Sequence, residues 1–164
     1  MVDEVPAAQV VAVEVDGGAL VWARRNLEPL GVRVVAGDVA DLGGVGGIGD
    51  VDGIGDLDDV LGRVAVVVAN PPYLPEGTAL GPGVGEHEPA AALWGGGARG
   101  LDRPVQFLAA AARLLRPGGT VVLEHDASQG EALRALAGAG GAFRDIGTGI
   151  DLTGRDRYLT AVRN

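Results

Sequence analysis

The chain has no cysteine, which excludes disulfides and every thiolate metal site. Histidine is nearly as scarce: His87 and His125 are the two, far apart and without metal-ligand spacing, so a zinc enzyme is not expected and no metal is assigned. No apolar run approaches the roughly 18 residues of a membrane-spanning helix. The amino terminus also lacks a positively charged segment leading into an apolar core. These absences predict a soluble, cytoplasmic protein. Positive charge is in deficit, with 13 Lys and Arg against 22 Asp and Glu and a net charge of −9. Asp41, Asp50, Asp52, Asp56 and Asp58 fall between glycines in the segment from Asp38 to Asp59. Such a surface repels phosphate backbones and argues against nucleic acid as a partner.

What is present is aliphatic and ordered. At 164 residues the chain is long enough for one domain that buries roughly two-thirds of its unfolded surface. Strand and helix patterns alternate along it. Gln9 to Val15 reads as a strand, and a helix follows from about Gly18 to Leu30, with Leu20, Ala23, Leu27 and Leu30 at helical spacing and Gly31 ending it. Val32 to Ala36 is a short strand closing on Gly37-Asp38. A Gly/Asp-rich connection with a weak helical turn near Asp56 to Leu61 leads to the strand Val64 to Ala69. From Leu74 to Gly100 the Pro and Gly content excludes a long regular element, and a loop of this length predicts a lid or a substrate contact. Asp102 is expected to cap a helix over about Arg103 to Leu115, stopped by Arg116-Pro117-Gly118-Gly119. Thr120 to Glu124 is the next strand, and Ser128 to Ala137 a helix opened by a capping box of Ser128 and Glu131. Strands near Phe143 to Ile150 and Arg157 to Val162 close the chain as an antiparallel pair. The expected fold is α/β: a mostly parallel sheet with helices on both faces. Trp22 and Trp94 read as packing residues.

The stretch Asn70-Pro71-Pro72-Tyr73 carries the chemistry. It follows the apolar strand Val64 to Ala69 directly, at the carboxyl edge of the sheet where open α/β folds hold their ligands. Asn70 offers a side-chain carbonyl oxygen, and proline keeps a backbone carbonyl while lacking an N–H, so the turn is rich in acceptors and poor in donors. A residue before proline is pushed out of the α region, and here the restriction acts on both Asn70 and Pro71, which stiffens the turn. Two fixed acceptors select a planar group that donates two hydrogens, a carboxamide or an exocyclic amine, on which Tyr73 can stack. The lone pair of such a nitrogen is delocalised, so holding both hydrogens and aiming the nitrogen at an electrophile is most of what catalysis requires.

Two acidic residues stand where such sheets bind nucleosides. Glu14 is near the end of the first strand, the place of the carboxylate that takes the ribose hydroxyls in dinucleotide-type folds. Asp38, closing the next strand, is placed to accept from an adenine amine, itself or through its neighbour's backbone. Glu124 and His125, at a strand end, are read as ordering the adjoining loop rather than as catalytic groups.

With these residues in place the chain resembles the class I methyltransferases that use S-adenosylmethionine, and within them the release-factor glutamine methyltransferases of the HemK/PrmC family. The resemblance runs over nearly all 164 residues. It is carried by Val11-Ala12-Val13-Glu14, Gly37-Asp38, Asn70-Pro71-Pro72-Tyr73-Leu74-Pro75 and Glu88-Pro89 to Gly100-Leu101-Asp102. Arg116-Pro117-Gly118-Gly119, Leu123-Glu124-His125 with Gln129-Gly130, and Asp151 to Arg157 continue it. Asn-Pro-Pro-Tyr alone is shared with adenine-N6 methyltransferases acting on nucleic acid; the later stretches narrow the choice. The resemblance implies a Rossmann-like fold over 1–164 as a partial methyltransferase domain. It further implies S-adenosylmethionine as cofactor and methylation of the glutamine in the Gly-Gly-Gln loop of peptide chain release factors. Glu14 would hold the ribose, Asp38 and Val39 flank the adenine, Asn70 with the Pro71 carbonyl bind the glutamine amide beside Pro72, and Tyr73 pack on it; Asn70, Pro71 and Tyr73 would be the catalytic set, and Asn70 would join Glu14, Asp38 and Val39 in binding the cofactor. The family opens with a helical domain and with a first strand and Gly-rich loop that this chain does not contain, and the run Gly43 to Gly47 stands in the wrong order to substitute. An open slot is therefore expected between the strands Gln9 to Val15 and Val64 to Ala69, to be filled by a missing segment or a second polypeptide. The competing readings are an adenine-N6 or guanine-N2 methyltransferase on nucleic acid and a non-catalytic remnant.

Overall fold

The structure, a computed structural model, describes residues 4, 5, 7–43, 55–81, 83, 85 and 88–164. Residues 44–54, with most of the Gly-rich run and with Asp50 and Asp52, lie outside the described residues, as does His87. The chain opens with β1 (Val11–Glu14) and α1 (Gly17–Leu27). Asp16 caps α1, its carboxylate accepting from the Ala19 N–H at 2.7 Å. The α-helix stops three residues before the expected Leu30, and one 3-10 turn over Glu28–Leu30 follows, because Pro29 brings no N–H to a further α turn. Gly31 at φ 79 then turns the chain into β2 (Arg33–Ala36), which runs parallel to β1 with Glu14 beside Ala36.

After α2 (Val39–Gly43) and a 3-10 turn over Gly55–Val60 comes β3 (Val64–Ala69), with the bounds its sequence predicts. A four-residue helix, α3 (Ala90–Leu93), interrupts the long loop, and α4 (Asp102–Leu114) follows. β4 (Leu115–Glu124), α5 (Gly130–Ala139), β5 (Phe143–Ile150) and β6 (Asp156–Arg163) complete the order. Two expected caps are corrected. Asp102 is the first residue of α4, behind a Leu101 cap that makes no side-chain bond. The Ser128 hydroxyl donates to Asp126 Oδ1 at 2.6 Å, so no capping box forms with Glu131 and α5 begins two residues later than expected.

The strands form two sheets, β1-β2 and β3-β4-β6-β5. β1–β2 and β3–β4 are parallel, and the two contacts of β6 are antiparallel. Among the described residues no ladder joins the sheets, so β1 and β3 both have a free edge, where the open slot is expected. The sheets are held together by side chains instead: Val35, Leu42, Leu57, Ala110 and Leu114 bring β1, β2, α2, α4 and β3 into one apolar cluster. A second cluster packs α4 and α5 against one face of the larger sheet through Leu108, Leu133, Val121, Leu123 and Leu159. Full burial of each such leucine contributes roughly 2 kcal/mol.

Helices on both faces are not found on that sheet among the described residues. Val66 and Val68 on β3, 46% and 62% exposed, share a face with Thr120, Val122, Thr160 and Val162, and none of these is buried. Val64-Ala65-Val66-Val67-Val68-Ala69 has the near-continuous apolar composition of a strand covered on both sides, yet one side is bare.

Candidate active site

β3 places the acceptor turn. Ala69 is the last residue of the ladder, opposite Leu123, and the chain leaves the sheet at Asn70. Pro71 is fully buried and anchors the corner, Pro72 and Tyr73 are half-buried, and Asn70 is exposed. Among the described residues no protein donor reaches the Asn70 side chain or the Pro71 carbonyl, so both keep their acceptor capacity. The Tyr73 hydroxyl donates to Glu124 Oε1 at 3.1 Å. Burial and the bond to this carboxylate push the Tyr73 phenol above its ordinary value. The ring is therefore tethered at its far end.

The loop that follows is built around this turn. The Leu74 N–H donates to the Leu93 carbonyl at 2.9 Å and the Gly95 N–H to the Leu74 carbonyl at 3.0 Å, a short parallel bridge with Trp94. Trp94 itself is half-buried. Gly95 and Gly100 permit close approach: a Cβ on Gly95 would stand 2.8 Å from the Tyr73 Cα. One on Gly100, at φ 64, would stand 2.8 Å from both Leu74 C and Pro75 N. The end of the long loop thus braces the turn.

The nucleoside candidates fall on the neighbouring parallel strands. Glu14 ends β1, and its carbonyl accepts the Gly37 N–H at 3.0 Å, which sets Gly37 and then Asp38 beside it. One carboxylate oxygen of Glu14 accepts the Asp16 N–H at 2.8 Å, leaving the other for a ligand hydroxyl. Asp38 accepts from the Ala40 N–H at 2.9 Å and from Arg103 Nη2 at 2.8 Å. Val39 opens α2 and packs against the cluster that joins the two sheets. Arg103 links the two halves of the site, since its own N–H donates to the Gly95 carbonyl at 2.7 Å.

Sequence reasoning singled out neither Arg103 nor a definite role for Gln129. A signal for Arg103 existed: a cation in the first turn of a helix opposes the helix dipole and implies a compensating partner. His125 is fully buried, its Nδ1 2.8 Å from the Asp126 carbonyl and its N–H on the Arg157 carbonyl, an ordering role as expected. Asp151 accepts from Thr153, Arg155 and Arg157 around the β5–β6 hairpin, and the Thr153 hydroxyl leads in holding its carboxyl well below the usual carboxylate range. Trp22 departs from expectation: it is 60% exposed on α1, with the Arg25 guanidinium over its ring at 5.3 Å.

Parallel strands ending in acceptors, helices packed on the sheet and the antiparallel close define a Rossmann-like fold. A methyltransferase from Pyrococcus furiosus superposes with a TM-score of 0.61 at 21% identity, over 99% of this chain and 66% of that one. TrmN from Thermus thermophilus gives 0.53 at 21% identity, over 97% of this chain and 37% of the other. By sequence the chain is similar to release factor glutamine methyltransferases. It is 40% identical to that of Bifidobacterium longum over 99% of its own length and 54% of the relative's, and 41% identical to that of Mycolicibacterium smegmatis over 96% and 52%. It is also 38% identical, over 98% of its length and 49% of the other's, to a Streptomyces pristinaespiralis protein named 4-amino-L-phenylalanine/4-methylamino-L-phenylalanine methyltransferase. The chain spans about half the length of the curated relatives it matches. No protein-family model matches it.

Proposed function

We propose that residues 1–164 are a partial methyltransferase domain that moves a methyl group from S-adenosylmethionine to the glutamine side-chain nitrogen in the Gly-Gly-Gln loop of a peptide chain release factor. The observation that carries this reading is the pair of acceptors at the carboxyl end of β3, Asn70 Oδ1 and the Pro71 carbonyl, which no protein donor reaches among the described residues. A primary carboxamide has two hydrogens to give them. With both held, its nitrogen is oriented for in-line attack, and the amide is fixed in the one plane that Tyr73 covers. The cofactor supplies an electrophilic methyl on a sulfonium. Glu14 accepts from the ribose hydroxyls with its free oxygen, and Asp38 and Val39 flank the adenine with the Asp38 side chain held by Arg103. As the bond to nitrogen forms the methyl–sulfur bond would break, S-adenosylhomocysteine would leave, and the proton lost from the nitrogen would pass to solvent beside the exposed Asn70.

The bare face of β3 and the free edges of β1 and β3 support a further part of this reading: a parallel strand with an apolar cover, from a longer form of the chain or from a second polypeptide, completes the sheet. Among the described residues no helix is long and apolar enough to cross a membrane, which fits work beside a release factor in the cytoplasm.

The test is incubation with methyl-labelled S-adenosylmethionine and a release factor, followed by peptide mass mapping. Label on the Gly-Gly-Gln glutamine is expected; a cofactor-binding protein that labels only nucleic acid contradicts the reading. One relative's name favours a second acceptor, an aryl amine. An aryl amine also offers two hydrogens from a planar nitrogen, so 4-amino-L-phenylalanine belongs in the same assay, and its exclusive labelling would favour that substrate.

A further inference from the structure

We propose that Gln129 is a positioning residue for the transfer, holding the Asn70–Tyr73 turn in register through its side-chain amide; this rests on the reading of that turn as the substrate grip. Gln129 is 2% exposed. Its Nε2 donates to the Tyr73 carbonyl at 2.7 Å, the Arg99 carbonyl at 2.7 Å and the Gly100 carbonyl at 3.2 Å, while its Oε1 accepts the Asp126 N–H at 3.0 Å. Three carbonyl oxygens thus converge on one amide nitrogen with two hydrogens to share. Brought together without a donor, those carbonyl dipoles repel, and burial denies them water as a substitute.

The convergence is forced by the backbone. Gly95 and Gly100 let the loop lie directly on Tyr73, Leu74 and Pro75, too close for any other side chain to stand between them. Gln129 donates to both sides of this contact, to Tyr73 on one and to Arg99 and Gly100 on the other. Tyr73 is consequently held twice, its hydroxyl by Glu124 at the end of β4 and its carbonyl by Gln129 in the segment that follows. With the residue after Pro72 pinned at both ends, the backbone that carries the Pro71 carbonyl and the Asn70 side chain keeps a fixed course. Release of the Tyr73 carbonyl leaves the acceptors in place chemically and lets them wander, and a misplacement of about 1 Å costs on the order of 100-fold in rate.

The test compares the parent chain with Gln129→Met, which keeps the volume without the donor, and Gln129→Ser, where a water can replace the amide if the first variant does not fold. Three quantities are read on folded protein: backbone amide exchange at Leu74 and Gly95, binding of S-adenosylhomocysteine, and kcat and KM for methyl transfer to the release factor. The expected result is exchange at Leu74 and Gly95 faster by about tenfold. Exchange at Leu123 and cofactor affinity stay within about twofold of the parent, and kcat falls on the order of 100-fold. Unaltered exchange at both amides overturns the brace. Faster exchange with an unaltered kcat per folded molecule leaves Gln129 a merely structural residue and overturns the positioning role. A parent that binds S-adenosylhomocysteine yet methylates no release factor overturns the proposed function instead, and the exchange measurement still decides the brace.

Discussion

Arg103 Nη2 stands 2.8 Å from Asp38 Oδ2, in an ion pair whose two side chains are each about a quarter exposed. The pair joins the end of β2 to the first turn of α4, and the Arg103 N–H continues the link to the Gly95 carbonyl. A proposed adenine-side residue and the brace of the acceptor turn therefore meet at one arginine, although the two sheets share no ladder among the described residues.

Replacing Arg103 with Ala leaves Asp38 without its cation and should lower unfolding stability by about 1 kcal/mol. A double-mutant cycle with Asp38→Asn, followed by urea unfolding, should return a coupling of about 0.5–1 kcal/mol. Strictly additive losses would show that the pair contributes nothing.

Gly100 offers a comparison of two costs. Gly100→Ala sets a Cβ 2.8 Å from Leu74 C and Pro75 N at φ 64, so both crowding and conformation oppose it. Gly154→Ala, at φ 81 with nothing within 4 Å, meets the conformational cost alone. Chemical denaturation should show a loss of about 1 kcal/mol for Gly154→Ala and at least about 2 kcal/mol more for Gly100→Ala. Equal losses would mean that the loop does not rest on the turn.

The Tyr73 phenol is raised by burial and by its bond to Glu124, so the folded state holds that proton more tightly than the unfolded chain does. Its contribution is fully present below the unfolded value near 10 and is lost as pH rises through the higher folded value. Denaturant midpoints taken from about pH 8 to 11 should fall more steeply at the alkaline end for the parent than for Tyr73→Phe. Parallel curves would remove the tether.

Much of this was legible in the sequence where a local rule acts without a competitor. β3 is bounded as expected because six Val and Ala residues stand between Arg63 and an Asn-Pro that cannot continue a ladder. The exit at Gly31 is equally local. The Ser128 cap failed because the nearby Asp126 carboxylate takes both the hydroxyl and the N–H of Ser128, an outcome that depends on the turn's shape. Helices on both faces are expected from the alternation of strands and helices, and that alternation does not say which face of β3 each helix covers. Within the candidate site, Asn70, Pro71 and Tyr73 announced themselves by chemistry. Gln129 and Arg103 work across 56 and 65 positions of chain, and no spacing rule reaches that far.

The most direct test of the acceptor turn is Asn70→Ala, which removes one of the two oxygens proposed to hold the substrate nitrogen while leaving Pro71 and the buried corner in place. Binding of S-adenosylhomocysteine by calorimetry and turnover on a release factor are measured side by side on parent and variant. The account predicts cofactor affinity within about twofold and turnover lowered on the order of 100-fold or more. Turnover equal to the parent's at unchanged affinity would contradict it.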